Sequence, residues 1–432
     1  MTTLDTTDRT KIKFISIFLV SKLLFDFTYY YHITELWSYQ GLINNFSFFT
    51  FLFTCIITLF LATIIKIQEY SLSNFFLLMC VSILFLPAAT LFTFGAIKST
   101  FFLLWTAIFI VLIGMFNKKI DFNNNIKISY ESILTSSPET WPYFLFMAIS
   151  LMFFTIFGTT INFNLFNLLG QELYIAREDV AVLLSDLGLV NYIISNTHNV
   201  LLPFLLGYSL FYRKFLLIFL TIILYVYLFL VTSYKMILFA PILILVSYFV
   251  LFRKESNFKA FTLTYFKYLI TFLFISIVID MALEYSLINI LVIRRMFFLP
   301  VLISEKYYEY FSINGFTYFS DVSIFSNLSL FPFKYDLPAV IGGYYFAEGN
   351  WANTNFLADS YTKLGIFSSL LYIIIIRIFM ALIDFSGSNK PHFISYSCVI
   401  IPLVSLTNSS LTTTIFTHGL LGSLLLIFFI RK

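Results

Sequence analysis

In residues 339–365, glycines, amides and carboxylates interrupt a chain that is otherwise almost continuously apolar. Two carboxylates there, Glu348 and Asp359, could each take a proton from a hydroxyl group, the work of a general base. Gly342, Gly343 and Gly349 allow a tight turn, after which a helix is expected from about Asn353, with Asn353 as its N-cap. Asn355, Asp359 and Lys363 then follow at steps of four and stack on one face of that helix. The plain alternatives are an i,i+4 ion pair between Asp359 and Lys363 and a solvated loop position for Glu348. Outside this stretch Arg177, Lys235, Arg294 and Arg295 stand beside long apolar runs, where positive charge is costly without an anionic partner. A guanidinium grips two anionic oxygens at once, whereas an ammonium acts as a point charge. Adjacent helical residues point about 100° apart, so only one of Arg294 and Arg295 can face a ligand, and the other is free to anchor among lipid headgroups.

The elements that must position these groups are set by composition. Of 432 residues, 60% are hydrophobic and 11% charged, with a mean hydropathy of +0.91, which no soluble globular class matches. Crossing a hydrocarbon core takes roughly 20 helical residues. Runs near that length occupy 12–31, 46–65, 75–94, 101–116, 143–160, 192–211, 215–232, 236–252, 266–285, 364–383, 393–406 and 411–430. The expected fold is therefore all-α: a single polytopic membrane domain over 1–432, with twelve transmembrane helices and a large external loop, 287–363, before the tenth. The first run has no small-residue cleavage site and reads as a retained helix, in which Lys22 and Asp26 can neutralise one another. With both termini cytoplasmic, seventeen Lys and Arg fall inside and eight outside, the bias expected of short cytoplasmic loops. The intervals 161–191 and 287–363 then face outward, away from the nucleotides of the cell, so chemistry there must run on activated, lipid-linked substrates.

Absences narrow the chemistry. The chain carries neither an Asp-x-Asp motif nor a Gly-x-x-x-x-Gly-Lys loop, and no His, Cys, Asp or Glu cluster has metal-ligand spacing, so no metal or cofactor is expected. Cys55, Cys80 and Cys398 lie inside apolar runs and read as packing residues. His198, at the outer end of the sixth run, is a lesser candidate base. Nothing in the charge pattern calls for a nucleic acid; the lipid bilayer is the partner composition demands.

The run Asn-x-Asn-Phe-Leu-Ala-Asp-x-Tyr-x-x-x-Gly at 353–365 resembles the signature of Wzy-type polymerases, bacterial membrane enzymes that polymerise lipid-linked oligosaccharide repeat units. The run Arg-Arg-x-Phe-x-x-Pro followed by Tyr and Phe, at 294–311, is similar to the segment that precedes it in that family. The resemblance implies a glycosyltransferase of GT-C-like fold in the bacterial inner membrane. Such an enzyme joins undecaprenyl-pyrophosphate-linked oligosaccharide units into O-antigen or capsular polysaccharide on the periplasmic or external face, with a chain-length regulator as partner. On that reading Asp359 or Glu348 is the base, while Arg177, Lys235, Arg294, Arg295, Tyr308, Asn353 and Asn355 bind substrate. The aromatic linker between Phe311 and Ala339 departs from the family pattern. Rival readings are a flippase for lipid-linked oligosaccharide, a ligase that shares the polymerase's chemistry, and a membrane sugar acyltransferase. Transporters often show two similar halves with charged sites at midplane, and no such repeat is visible here.

Overall fold

In hydrocarbon, backbone N–H and C=O groups find no water, so an apolar run must satisfy them within itself, as a helix does. The chain follows that rule. The computed structural model describes residues 6–115, 140–158, 175–176, 180, 182, 188–253, 260–283, 286, 288–322, 330–388 and 390–430. The described residues are helical or irregular, with no strand among them. In chain order they form α1 (Thr6–Thr28), α2 (Phe48–Ile64), α3 (Leu72–Thr93), α4 (Thr100–Met115), α5 (Trp141–Phe157), α6 (189–211), α7 (Phe215–Thr232) and α8 (Lys235–Phe252). After these come α9 (Phe261–Ala282), α10 (289–314), α11 (Leu337–Tyr345), α12 (Phe356–Leu364), α13 (Ile366–Gly387), α14 (His392–Ser405) and α15 (Leu411–Phe429). Among the described residues six helices, α3, α7, α8, α9, α13 and α15, are long and apolar enough to cross a membrane.

Two compact units emerge, one of residues 1–119, 254–381 and 406–411, the other of 120–253, 382–405 and 412–432. In the first, α3 is buried along its whole apolar length and touches α1, α2, α4, α9 and α10. Lys22 of α1 pairs with Asp26 one turn on, and Thr90 of α3 donates to the other Asp26 oxygen at 2.8 Å, so the two buried charges compensate within the helix layer. On their other sides these helices expose Phe49, Ile56 and Phe60 (α2), Phe274 and Val278 (α9), and Phe367 and Ile374 (α13). Exposed apolar rows of that extent are stable against lipid and not against water, and the protein is membrane-embedded.

In the second unit α14 is buried from Phe393 to Leu403 and packs on α6, α8 and α15. Gly207 of α6 faces Ser397 with no room for a Cβ, which lets the two helices approach closely. Ser247 and Tyr396 share a 2.8 Å hydrogen bond across the same layer.

The polar interval before α13 is itself largely helical. Asp280, at the end of α9, accepts from the backbone N–H groups of Ile288 and Asn289 at 3.0 and 2.9 Å and thereby caps α10. α10, α11 and α12 all belong to the first unit, and α10 packs against both of the others.

Candidate functional site

α12 begins at Phe356, not at Asn353. The chain stays extended through Asn355, whose Oδ1 accepts from Leu357 N and Ala358 N at 3.1 and 3.0 Å, making Asn355 the N-cap. Two contacts fix that register: Phe356 packs at a tilt between Phe76 and Phe109, and its N–H donates to Leu406 O at 3.0 Å. Asn353 is left exposed. Upstream, the turn over 346–352 folds back on α11, where Gly342 leaves space for the Asn350 carbonyl and Ala352 N donates to Pro338 O at 2.9 Å. Glu348 sits exposed on that turn.

From this cap α12 fastens to α10 along its length. Asn355 Nδ2 donates to Ser304 Oγ at 2.6 Å, Ser304 and Thr354 share a 3.1 Å hydrogen bond, and the Tyr307 hydroxyl donates to Ala352 O at 2.9 Å. The Tyr308 and Tyr361 rings stack with centroids 4.2 Å apart. These two tyrosines also form part of the wall of a cavity of about 1080 Å³, whose remaining lining includes Tyr39, Gln40, Lys98, Glu305, Lys306, Glu309 and Trp351. That is at the upper end of ordinary ligand pockets.

Three charged groups of this wall, Glu305, Lys306 and Glu309, sit on two successive turns of α10. Glu305 is buried, and its Oε1 accepts from Lys98 N at 2.8 Å and Ser99 N at 3.1 Å, at the start of α4. A carboxylate there meets the positive end of the helix dipole. Its Oε2 has no hydrogen bond and lies 3.2 Å from Lys306 Nζ. Lys306 also donates to Glu309 Oε2 at 3.0 Å. Burial lowers the affinity of the Lys306 amine for its proton, but Glu305 and Glu309 outweigh it and raise its pKa, so the group stays cationic.

Asp359 is not part of the cavity lining. It is buried one turn from Lys363, 3.0 Å from its Nζ, and Lys363 also pairs with Asp321. Thr317 donates to Asp321 Oδ1 at 2.8 Å, while Thr317 N and Tyr318 N donate to the last carbonyls of α12, Thr362 and Lys363, at 2.8 and 3.0 Å. The cluster thus pins the turn after α10 onto the C-terminus of α12. Burial raises the pKa of the Asp359 carboxyl above the ordinary carboxylate value; Lys363 opposes this and the neighbouring Asp321 adds to it.

The remaining candidates are dispersed. Arg294 is buried behind the cavity wall, 3.5 Å from the Trp37 ring centre, and donates to Gln40 Oε1 at 2.6 Å. Arg295, one residue on, is exposed, as the angular offset of neighbours requires. Lys235 opens α8 in the second unit, half-buried, and Arg177 lies outside the described residues. No three His, Cys, Asp or Glu side chains among the described residues are placed to hold a metal together. The Glu305–Lys306–Glu309 set was open to a closer reading of the sequence, because carboxylates four apart share one helix face and two tyrosines follow the lysine directly. Compared with known protein families, curated proteins and solved structures, the chain matches none.

Proposed function

We propose that the protein is a membrane glycosyltransferase that polymerises undecaprenyl-pyrophosphate-linked oligosaccharide repeat units on the outer face of a bacterial cytoplasmic membrane. The supporting observation is the meeting of the two sequence runs that carry the resemblance. Residues 294–311 and 353–365 zip together through Asn355–Ser304 and Tyr308–Tyr361, and the tyrosine pair contributes to one cavity wall. Stacked tyrosines offer rigid apolar faces with polar rims, which suit the apolar face and hydroxyl edge of a sugar ring. Carboxylates and an ammonium beside them supply what glycosyl transfer needs: a group to receive the acceptor's proton and positive charge for the departing pyrophosphate. Arg294 bears on the same wall from behind, through Gln40.

Deleting the gene and analysing lipid-linked and surface glycan tests this reading. The deletion strain is expected to display a single repeat unit on its surface and no longer chains, and a plasmid copy to restore the ladder. Internally oriented units with none displayed outside would make the protein a flippase. Full-length chains retained on the lipid carrier would make it a ligase. In the complemented strain Tyr361→Ala, which removes half of the stacked pair, is expected to shorten or abolish the ladder at normal protein abundance.

A further inference from the structure

Resting on that reading, we infer that Glu305 is the base that takes the acceptor hydroxyl's proton in the transfer step. The carboxylates the sequence brought forward are placed elsewhere. Glu348 is exposed and outside the cavity lining, and Asp359 is committed to Lys363 in a buried cluster. Asp280 spends both oxygens on N–H groups at the start of α10. Glu309, on the cavity wall, has a side chain 50% exposed and no backbone clamp, with Lys306 at 3.0 Å as its partner.

Asp359 also has one buried oxygen without a hydrogen bond, but Glu305 alone of these carboxylates combines a backbone clamp with a place on the cavity wall. Two backbone N–H groups clamp Oε1, which fixes the carboxylate plane without a flexible partner. Oε2 is buried, has no hydrogen bond, and has the Lys306 ammonium for its ionic neighbour. A carboxylate fixed by one oxygen, with the other paired only to a cavity-lining lysine that an anionic ligand can draw away, is pre-organised to accept a proton. In the step, the acceptor oxygen forms a bond to the anomeric carbon of the donor sugar. The bond from that carbon to the phosphate oxygen breaks, and its electron pair leaves with the lipid pyrophosphate. The acceptor's proton passes to Glu305 Oε2, and nothing is oxidised or reduced.

Glu305→Gln separates this role from a structural one, because the amide oxygen still accepts from Lys98 N and Ser99 N while the side chain no longer takes a proton. Purified protein would be assayed in detergent with a synthetic lipid-pyrophosphate-linked repeat unit, reading kcat, KM and thermal melting. E305Q is expected to lower kcat by at least about 100-fold, the usual scale for loss of a general base, with KM and melting unchanged. Activity within a few-fold of wild type would overturn the assignment and leave the polymerase reading standing. No polymer from well-folded wild-type protein would instead overturn that reading. Should E305Q not accumulate, Glu305→Asp decides, since it keeps a carboxylate but sets it back by one methylene: kcat within a few-fold of wild type would overturn the assignment, and a large fall in kcat with KM and melting unchanged would support it.

Discussion

Two carboxylates around one lysine occur twice in the first unit, on helices that pack together, and their surroundings are opposite. Around Lys363 the lysine is sealed, its side chain 1% exposed and wedged between buried Asp359 and surface Asp321. Around Lys306 they line the cavity, with the lysine side chain 26% exposed beside Glu305 and Glu309. The same groups therefore have different work to do. A sealed ammonium has no competitor for its carboxylates and serves as a clamp, whereas one at a cavity can exchange a carboxylate for the anionic oxygens of a ligand. Water access at the lysine, more than residue type, divides the two clusters.

The sharpest way to break this comparison is to remove each lysine. Lys363→Ala leaves two carboxylates with no cation in a sealed site, and removing one partner of a buried pair costs about 3–5 kcal/mol. The variant is expected to melt well below wild type in detergent and to accumulate poorly in membranes. Lys306→Ala leaves Glu305 still held by two backbone donors, so the loss of stability should be clearly smaller than in Lys363→Ala while polymer is lost. Equal losses of stability in the two variants would erase the distinction between clamp and site.

A second contrast lies within one dipeptide. Arg294→Ala forfeits a buried stacking contact with Trp37 and a hydrogen bond to Gln40, each worth about 2 kcal/mol when a desolvated charge is involved. Polymer yield and melting temperature should fall together, and Lys should restore little because it has no planar fork to stack. Arg295→Ala, on the exposed side, is expected to change stability by no more than about 0.5 kcal/mol and to leave the glycan ladder intact. A larger glycan defect at Arg295 than at Arg294 would move the anion contact to the outer face.

These contrasts mark how far the sequence could be read. Apolar runs announced the long helices closely: 215–232 is α7 itself, and 46–65 and 101–116 lie within two residues of α2 and α4 at either end. Hydrophobic run length is a local property and needs no tertiary knowledge. The polar stripe of Asn355, Asp359 and Lys363 was also visible, since a step of four fixes a helix face. Its register was not, because the helix start depends on Phe356 finding Phe76 and Phe109 far away in the chain. The cavity wall was least legible. Glu305 becomes distinctive only through the amides of Lys98 and Ser99, 207 and 206 positions away, and no spacing within α10 signals that backbone clamp.

The smallest expected effect is at Asp359. In Asp359→Asn the amide keeps the shape and Lys363 retains Asp321 as its counter-ion, so no buried charge is left unpaired and the change in stability should fall well short of the about 3–5 kcal/mol of a broken buried pair. Its sign depends on pH. Burial raises the Asp359 carboxyl above its ordinary 3.8, so the folded protein holds that proton more tightly than the unfolded chain. The stability this contributes is complete below 3.8 and is lost as pH rises through the raised value. Asn carries no such proton and loses nothing over that range. The variant should therefore melt at or slightly above wild type near neutral pH, and the difference should shift toward wild type as pH falls toward 3.8. A variant that melts several degrees lower at neutral pH would show that the Asp359 charge is a net support of the clamp, and that the sealed cluster tolerates the loss of either carboxylate less well than the shared lysine implies.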